Sequence, residues 1–236
     1  MNNKAFPYCI FSLGDRAITI DFGNRIDELI NETVIQLCNK LRQYPFPGMI
    51  EAVPAYSSLT IYYDIIALRK IVPAGSTVFE WMKRKAEEML SQSTMAEPSM
   101  GRLIKIPVCY EAAFAPDLPA LAAAKDLSTE EVISIHTSKQ YKVYMLGFLP
   151  GFAYMGRLDE RIEMPRKTQP QNIAEGSVGI AGQQTGIYPL ASPGGWQIIG
   201  RTPLKLVDVN NQEPTLLKAG DRVTFYSITK NEFDSY

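Results

Sequence analysis

The stretch GQQTGIYPLASPGGWQIIGRTP, residues 182–203, determines how the second half of the chain is interpreted. It contains five glycines and three prolines, and Arg201 is its only charged residue. Glycine serves where the chain takes positive φ or approaches another group closely, and Ser-Pro-Gly-Gly is strong turn chemistry. Short strand-like runs lie between these turns. The stretch therefore predicts β-structure whose backbone and amide groups surround a concavity.

Two interpretations of this stretch stay open. Two tight hairpins in a β-domain would explain the glycines and prolines without any ligand. A binding site is favoured because uncharged hydrogen-bonding side chains cluster among the glycines, beside an aromatic wall at Trp196. These side chains are Gln183, Gln184, Thr185, Tyr188 and Ser192.

Short apolar runs separated by glycine and proline continue on both sides of this stretch, from Tyr141 onward. Many short strands with such punctuation are typical of a sandwich or a small closed barrel. The predicted strands are residues 143–148, 177–181, 186–190, 196–200, 204–207 and 221–228.

The amino-terminal part of the chain has a different pattern. Alternating runs predict strands, and apolar residues at helical spacing predict two helices, the second opening with a Thr77–Glu80 capping box. This order suggests a split βαβ, ferredoxin-like α/β domain with an extra first strand and a further strand after the second helix. The polar, proline-bearing segment 91–101 is the predicted linker. We therefore expect an α+β protein with domains 1–96 and 97–236.

The composition limits the possible functions. A net charge of -1 over 236 residues gives no electrostatic case for binding nucleic acid or an acidic membrane surface. Three widely spaced cysteines indicate a reducing compartment. The amino terminus lacks an apolar signal core, so the cytoplasm is expected. No phosphate-binding loop, no GxGxxG and no GxSxG motif occurs.

Acid–base chemistry by imidazole must use His136, because it is the single histidine. A Ser128–Glu131 capping box opens the helix that ends near this residue. A helix-terminal imidazole favoured by the helix dipole and a catalytic or positioning role are equally open interpretations.

Aromatic and basic residues outside the central stretch are further candidates. The loop GFLPGFAYMG, residues 147–156, places Phe152 between glycines, which suits a pocket wall or an aromatic core hairpin. Arg166 and Arg201 are suited to pair with a carboxylate or phosphate, or are exposed charges. Lys167 is expected to be an ordinary surface charge.

Four motifs together resemble a known family: HTSKQYKVYMLGFLPGFAYMG (136–156), MPRK (164–167), GSVGIAGQQTGIYPLASPGGWQIIGRTP (176–203) and LLKAGDRVTFY (216–226). The chain is similar over nearly its whole length to the allophanate hydrolase subunit 1 family. That family includes the sporulation-kinase inhibitor KipI and the B component of bacterial 5-oxoprolinase. The resemblance implies an amino-terminal α/β domain followed by a cyclophilin-like β-barrel.

The resemblance also implies a non-autonomous subunit of an ATP-dependent 5-oxoprolinase, which opens the lactam of 5-oxo-L-proline to L-glutamate. Its implied partners are a second cyclophilin-like subunit, of the type of KipA or the C component of 5-oxoprolinase, and a separate hydrolase, the A component. ATP, with Mg, is expected at a site shared with the partner. The implied catalytic residues are His136, Arg166, Gln184, Tyr188 and Arg201, and the implied substrate-binding residues are Thr185, Ser192, Trp196 and Phe152.

Two other functions stay open at this point. One is inhibition of a sensor histidine kinase, as in KipI, which needs only an exposed apolar patch. The other is a subunit related to allophanate hydrolase or urea carboxylase. Glu175 stands where the family usually has alanine, and its carboxylate would repel an anionic ligand. The enzyme function requires Gln184, Tyr188 and Arg201 to face a common hollow.

Overall fold

A computed structural model describes residues 6–92 and 101–236. The chain divides into two compact units, residues 1–99 and 100–236. Most of the predicted linker, 91–101, lies outside the described residues. Within the described ranges, no helix has both the length and the apolar character needed to cross a membrane.

The first unit is an antiparallel sheet with helices. Its sheet has the strand order β1-β2-β4-β3, and Gly14 takes a φ of +65° in the turn between β1 and β2. In chain order the elements are β1 (Cys9–Ser12), β2 (Ala17–Asp21), α1 (Glu28–Gln43), β3 (Met49–Pro54), β4 (Ser58–Tyr63), α2 (Ile65–Arg69) and α3 (Val78–Ser91).

Strand alternation builds the core of this unit. Ile18 lies opposite Ile61 and Ile20 lies opposite Leu59 in the β2–β4 register, and all four side chains are buried. Residues of one parity share one face of a sheet, so these four form a continuous apolar layer. Buried residues of α1 belong to the same core, namely Ile30, Val34, Leu37 and Leu41.

The expected α/β character of this unit is present, but a ferredoxin-like fold is not confirmed. Strands β2, β3 and β4 with α1 and α3 follow the expected order. Within residues 6–92, however, no strand follows α3 in this sheet, and β1 occupies the edge position beside β2. The next strand along the chain pairs within the second unit instead. The terminal hairpin therefore supplies the fourth strand.

The second unit contains a closed barrel of seven strands in the order β10-β7-β6-β13-β5-β12-β9. A separate short ribbon pairs β11 with β8. A 3-10 turn lies at Glu160–Ile162. The other elements are β5 (Leu103–Cys109), α4 (Leu118–Ala124), α5 (Thr129–Thr137), β6 (Gln140–Leu146), β7 (Ala153–Gly156), β8 (Gln171–Ile173), β9 (Ser177–Ala181), β10 (Gln184–Ile187), β11 (Ser192–Gly194), β12 (Gln197–Arg201), β13 (Arg222–Ile228) and α6 (Lys230–Phe233).

The closed barrel confirms the β-architecture expected from the glycine and proline spacing. Its first and last strands, β5 and β13, pair in parallel over seven residues, whereas the other barrel pairs are antiparallel. The strand predicted at residues 204–207 does not form, and only an isolated bridge joins Val207 to Thr215. Pro203 interrupts backbone pairing immediately before it, which is consistent with this difference.

Helix α5 positions His136 and begins at the predicted capping box. The Ser128 hydroxyl accepts from the Glu131 N–H at 3.1 Å, and the Glu131 carboxylate accepts from the Ser128 N–H at 2.8 Å. We expect Ser128→Ala to lower the free energy of unfolding by about 1 kcal/mol, because one helix N–H loses its acceptor. Ser134→Ala, at an exposed position of the same helix, is the matched control. Equal urea midpoints for the two variants would contradict the cap.

Candidate functional site

His136 lies in the interior of the second unit, on the last turn of α5. The side chain has no exposed surface, and its ring stacks on Phe225 with the ring centres 4.6 Å apart. Nδ1 lies 2.8 Å from the Tyr110 hydroxyl, and Nε2 lies 3.0 Å from the Thr185 Oγ1. Both ring nitrogens are therefore used by protein groups.

The hydrogen bonds of Thr185 fix the tautomer of His136. Thr185 Oγ1 donates its proton to the Gly179 carbonyl oxygen at 3.1 Å. A hydroxyl has one proton, so Oγ1 accepts from His136 Nε2, which must carry a hydrogen. Nδ1 is then unprotonated and accepts from the Tyr110 hydroxyl. The result is a directional chain from Tyr110 through His136 and Thr185 to the backbone of β9.

Burial controls the protonation of this histidine. Desolvation lowers the pKa of His136 from 6.5 to about 3, because the barrel interior disfavours the imidazolium. The imidazole is thus neutral near pH 7. His136 lies at the end of α5, as the sequence indicated, and α5 directs its side chain into the core.

A second group of candidates forms an aromatic cluster, which we define as Phe152, Tyr154, Tyr188 and Trp196. The Phe152 ring is 5.1 Å from that of Tyr188 and 5.3 Å from that of Trp196, in edge-to-face arrangements. Phe152, Tyr188 and Trp196 are almost completely buried. This packing follows the geometry that aromatic quadrupoles favour. The aromatic loop and the glycine-rich stretch thus meet in one small core.

Arg166 lies over this cluster. Its guanidinium carbon is 5.9 Å from the centre of the Trp196 ring, which is a cation–π distance. Burial raises the pKa of Tyr188, while the backbone N–H of Trp196 and the positive charge of Arg166 oppose that rise. Burial likewise raises the pKa of Tyr154. Both phenols are therefore protonated at neutral pH, beside an exposed cation.

Gly194 shows how tightly Tyr188 is held. A Cβ at Gly194 would lie 2.3 Å from the Tyr188 hydroxyl oxygen. Such a contact is impossible without movement, so only glycine permits this approach of the β11 backbone to the phenol. Gly194, directly after Pro193, therefore serves packing at the aromatic cluster.

The remaining candidates are Arg201, Ser192 and Gln184. Arg201 ends β12, and its Nε donates to the Glu175 carbonyl oxygen at 2.7 Å. Ser192 lies in β11, and its buried Oγ has no hydrogen-bond partner among the described residues. Gln184 begins β10 opposite Ala181. The cleft that Arg201 lines does not include Gln184 or Tyr188.

Seven of the nine predicted site residues lie in three places. His136 and Thr185 lie in the barrel interior, Phe152, Tyr188 and Trp196 form the aromatic cluster with Arg166, and Arg201 lines a separate cleft. This cleft includes neither Gln184 nor Tyr188, so the common hollow of Gln184, Tyr188 and Arg201 stays a prediction.

Sequence reasoning also missed residues that shape these places. Tyr110, which donates to His136, has no motif around it that indicates the contact. Lys167 was expected to be a surface charge, but its Nζ is 2.6 Å from Asp117 Oδ2 and only 15% of its side chain is exposed. The sequence offered one signal for Lys167, namely that it directly follows the candidate site residue Arg166.

The described residues do not offer a carboxylate cluster for Mg²⁺. Within residues 6–92 and 101–236, no three His, Cys, Asp or Glu side chains lie close enough to hold a metal ion together. Mg²⁺ in nucleotide sites is bound by carboxylates together with phosphates. The described residues thus contain no site in which three such side chains alone would hold a metal ion.

The closed seven-stranded barrel makes the second unit a β-barrel domain. Comparison with known proteins shows the family to which the chain belongs. A family model described as "Carboxyltransferase domain, subdomain C and D" matches residues 8–217. The chain belongs to this carboxyltransferase-domain family. It also fits the allophanate hydrolase subunit 1 resemblance drawn from its motifs.

Curated relatives cover almost the full chain. The chain is 47% identical to the 5-oxoprolinase B subunit of Bacillus subtilis (strain 168), covering 97% of this chain and 96% of that protein. It is 38% identical to the 5-oxoprolinase B subunit of Escherichia coli O157:H7, covering 91% of this chain and 94% of that protein.

Solved structures share the fold. TTHA0988 superposes with a TM-score of 0.77 at 34% identity, covering 90% of this chain but 40% of that longer chain. The Kluyveromyces lactis urea amidolyase superposes with a TM-score of 0.76 at 20% identity, covering 99% of this chain and 16% of that one. The second likeness concerns the fold alone.

Proposed function

We propose that this chain is a non-autonomous subunit of a cytoplasmic, ATP-dependent 5-oxoprolinase, the hydrolase that opens 5-oxo-L-proline to L-glutamate. The main support is the near full-length similarity to two bacterial proteins named as the B subunit of 5-oxoprolinase. The proposed partners are a second cyclophilin-like subunit and a separate hydrolase, the A component. The barrel of this chain is one of the two cyclophilin-like parts of the proposed assembly.

The arrangement of the candidate residues supports a site completed by a partner. Arg166 lies over the aromatic cluster, whereas Arg201 lines another cleft. His136 acts as a positioning residue in this proposal, because its buried imidazole holds Thr185 on β10. ATP and Mg²⁺ are then bound where the partner adds the missing ligands.

An exposed aromatic side chain marks where the partner docks. Phe148 is 61% exposed, and its ring meets the buried Phe152 edge-to-face at 5.6 Å. Its φ of +70° is uncommon for a residue other than glycine. Exposed aromatic side chains next to a well-packed core are typical interface anchors. A partner that covers Phe148 would also close over the aromatic cluster.

The experiment combines this chain with the second barrel subunit and the hydrolase component, and measures ATP hydrolysis that depends on 5-oxoproline. We expect activity from the three together and none when this chain is omitted. Phe148→Asp should weaken co-purification with the second barrel subunit about tenfold or more, because a carboxylate replaces an aromatic anchor. Val209→Asp, at a position 83% exposed, is the matched control and should assemble normally.

Two results would reject the proposal. One is a complete assembly without 5-oxoproline-dependent ATP hydrolysis. The other is tight binding of this chain to the dimerisation domain of a sensor histidine kinase without any such hydrolysis, which would support the inhibitor function instead. An assembly that hydrolyses ATP in response to allophanate or urea would support the urea carboxylase-related alternative.

A further inference from the structure

A cleft of about 170 Å³ lies beside the carboxyl end of β12 in the second unit. We call it the Arg201 cleft, and define it by Phe114, Lys167, Asn172, Ser177, Ile198 and Arg201. Phe114 and Ile198 provide apolar surface, and the other four provide hydrogen-bonding groups. Polar groups that converge beside apolar surface in a concave site can orient a small ligand.

Lys167 contributes little net charge to this cleft. Its Nζ lies 2.6 Å from Asp117 Oδ2 and donates to Gln171 Oε1 at 2.8 Å. Asp117 Oδ2 also accepts from the Ile198 N–H at 2.6 Å. The ion pair is therefore fixed to β12 by a backbone contact, and the Asp117 carboxylate neutralises the ammonium group.

Arg201 supplies the uncompensated charge. Its Nε donates to the Glu175 carbonyl oxygen at 2.7 Å, which orients the planar guanidinium. Among the described residues, no carboxylate lies within ion-pair distance of Arg201. The Glu175 side chain does not line the cleft. Its carboxylate is therefore not part of the surface that would contact an anionic ligand. The cleft thus has one positive charge without a counter-charge, on a side chain suited to bidentate contact with a carboxylate.

The size of the cleft restricts the ligand. The cleft is small, with a volume of about 170 Å³. That space accommodates a compact organic acid. The single free positive charge matches a monoanion, and the Phe114 and Ile198 surfaces match a short hydrocarbon ring.

We infer that the Arg201 cleft binds the carboxylate of a compact, monoanionic organic acid, with Arg201 as the pairing group. Naming 5-oxoproline as that acid rests on the proposed function. Arg201 is a substrate-positioning residue in this inference, and the cleft holds the end of the substrate that does not react.

Titration of the full chain with 5-oxoproline tests this inference. We expect the backbone amide resonances of Asn172, Ser177 and Arg201 to shift saturably. The matched ligand 2-pyrrolidinone, which has the lactam ring without the carboxylate, should leave them in place. Arg201→Gln should weaken 5-oxoproline binding about tenfold to a hundredfold, since a charge-assisted hydrogen bond is lost. Arg84→Gln, on the exposed face of α3, removes the same charge elsewhere and should bind normally.

A second variant tests the cleft while the hydrogen bond from Arg201 to the Glu175 carbonyl oxygen is kept. Asn172→Asp places a negative charge at an exposed position of the cleft, and should weaken 5-oxoproline binding without disturbing the fold. Wild-type affinity in both Arg201→Gln and Asn172→Asp would overturn the inference. Equal shifts with 2-pyrrolidinone, or no shift near Arg201 at saturating 5-oxoproline, would overturn it as well.

Inorganic phosphate is the competing probe. Tighter binding of phosphate than of 5-oxoproline at the same resonances would assign the cleft to a phosphoryl group and overturn the carboxylate assignment. The two proposals fail separately. An inactive assembly whose free chain still binds 5-oxoproline through Arg201 rejects the proposed function alone, whereas an active assembly with no ligand shift near Arg201 rejects this inference alone.

Discussion

Replacing His136 with phenylalanine is expected to remove the loss of stability that this residue causes in the second unit as the pH falls from 6.5 toward 5. The pKa of His136 falls from 6.5 to about 3 on folding, so the unfolded chain binds a proton in this range and the folded chain does not. The contribution of His136 to the free energy of unfolding is therefore greatest above pH 6.5 and decreases as the pH falls toward 3. The slope is about 1.4 kcal/mol per pH unit, and the total loss is about 5 kcal/mol.

The measurement uses urea unfolding between pH 5 and 7.5. Trp81 and Trp196 are the only two tryptophans, so a Trp81→Phe background lets fluorescence follow the second unit alone. No other histidine titrates in this window. His136→Phe should flatten the pH dependence. A variant that kept the wild-type slope would show that the buried imidazole is not its source.

A double variant separates the titration from the lost hydrogen bonds. His136→Phe leaves the buried Tyr110 hydroxyl without its acceptor, which lowers stability at every pH by about 1–3 kcal/mol. Tyr110→Phe combined with His136→Phe removes that unsatisfied group. We expect the double variant to recover stability at pH 7.5 and to remain flat with pH.

Phe152→Ala is expected to destabilise the second unit by about 3–5 kcal/mol, because a fully packed ring leaves a cavity between Tyr188 and Trp196. Phe148→Ala changes the same residue type in the same loop at a position 61% exposed. It should change the free energy of unfolding by less than about 0.5 kcal/mol. The urea midpoint, read from Trp196 fluorescence, measures both.

The contrast between the two phenylalanines is the informative result. If the two variants lost equal stability, Phe148 would be packed in solution and would not serve as a docking anchor. If Phe152→Ala were neutral, the aromatic cluster would not be the second core of this unit. Either outcome would contradict the packing described above.

Local signals in the sequence predicted the longer helices α1, α3 and α5 but not the short helices α2 and α6. The capping boxes at Thr77 and Ser128 form as expected, with reciprocal hydrogen bonds. These features are predictable because all their partners lie within three residues. The glycine and proline spacing likewise predicted many short strands in a sandwich or a small closed barrel, and the structure has the closed barrel.

The places of the site residues could not be predicted in the same way. The environment of His136 depends on Tyr110, 26 residues away, and Thr185, 49 residues away. Burial by such distant segments determines its pKa and its access to solvent. Closeness in sequence also misled, because Tyr188 and Arg201 share one stretch but lie in different surroundings. Family resemblance supplied the candidate residues without giving their arrangement.

The parallel pairing of β5 with β13 has a consequence for synthesis on the ribosome. These strands are separated by more than a hundred residues and join along their whole length. Contacts between distant parts of a chain form slowly. The growing polypeptide must therefore keep the edges of β5 and β6 uncovered until β13 has emerged from the exit tunnel. During that interval, chaperones would have open strand edges to protect.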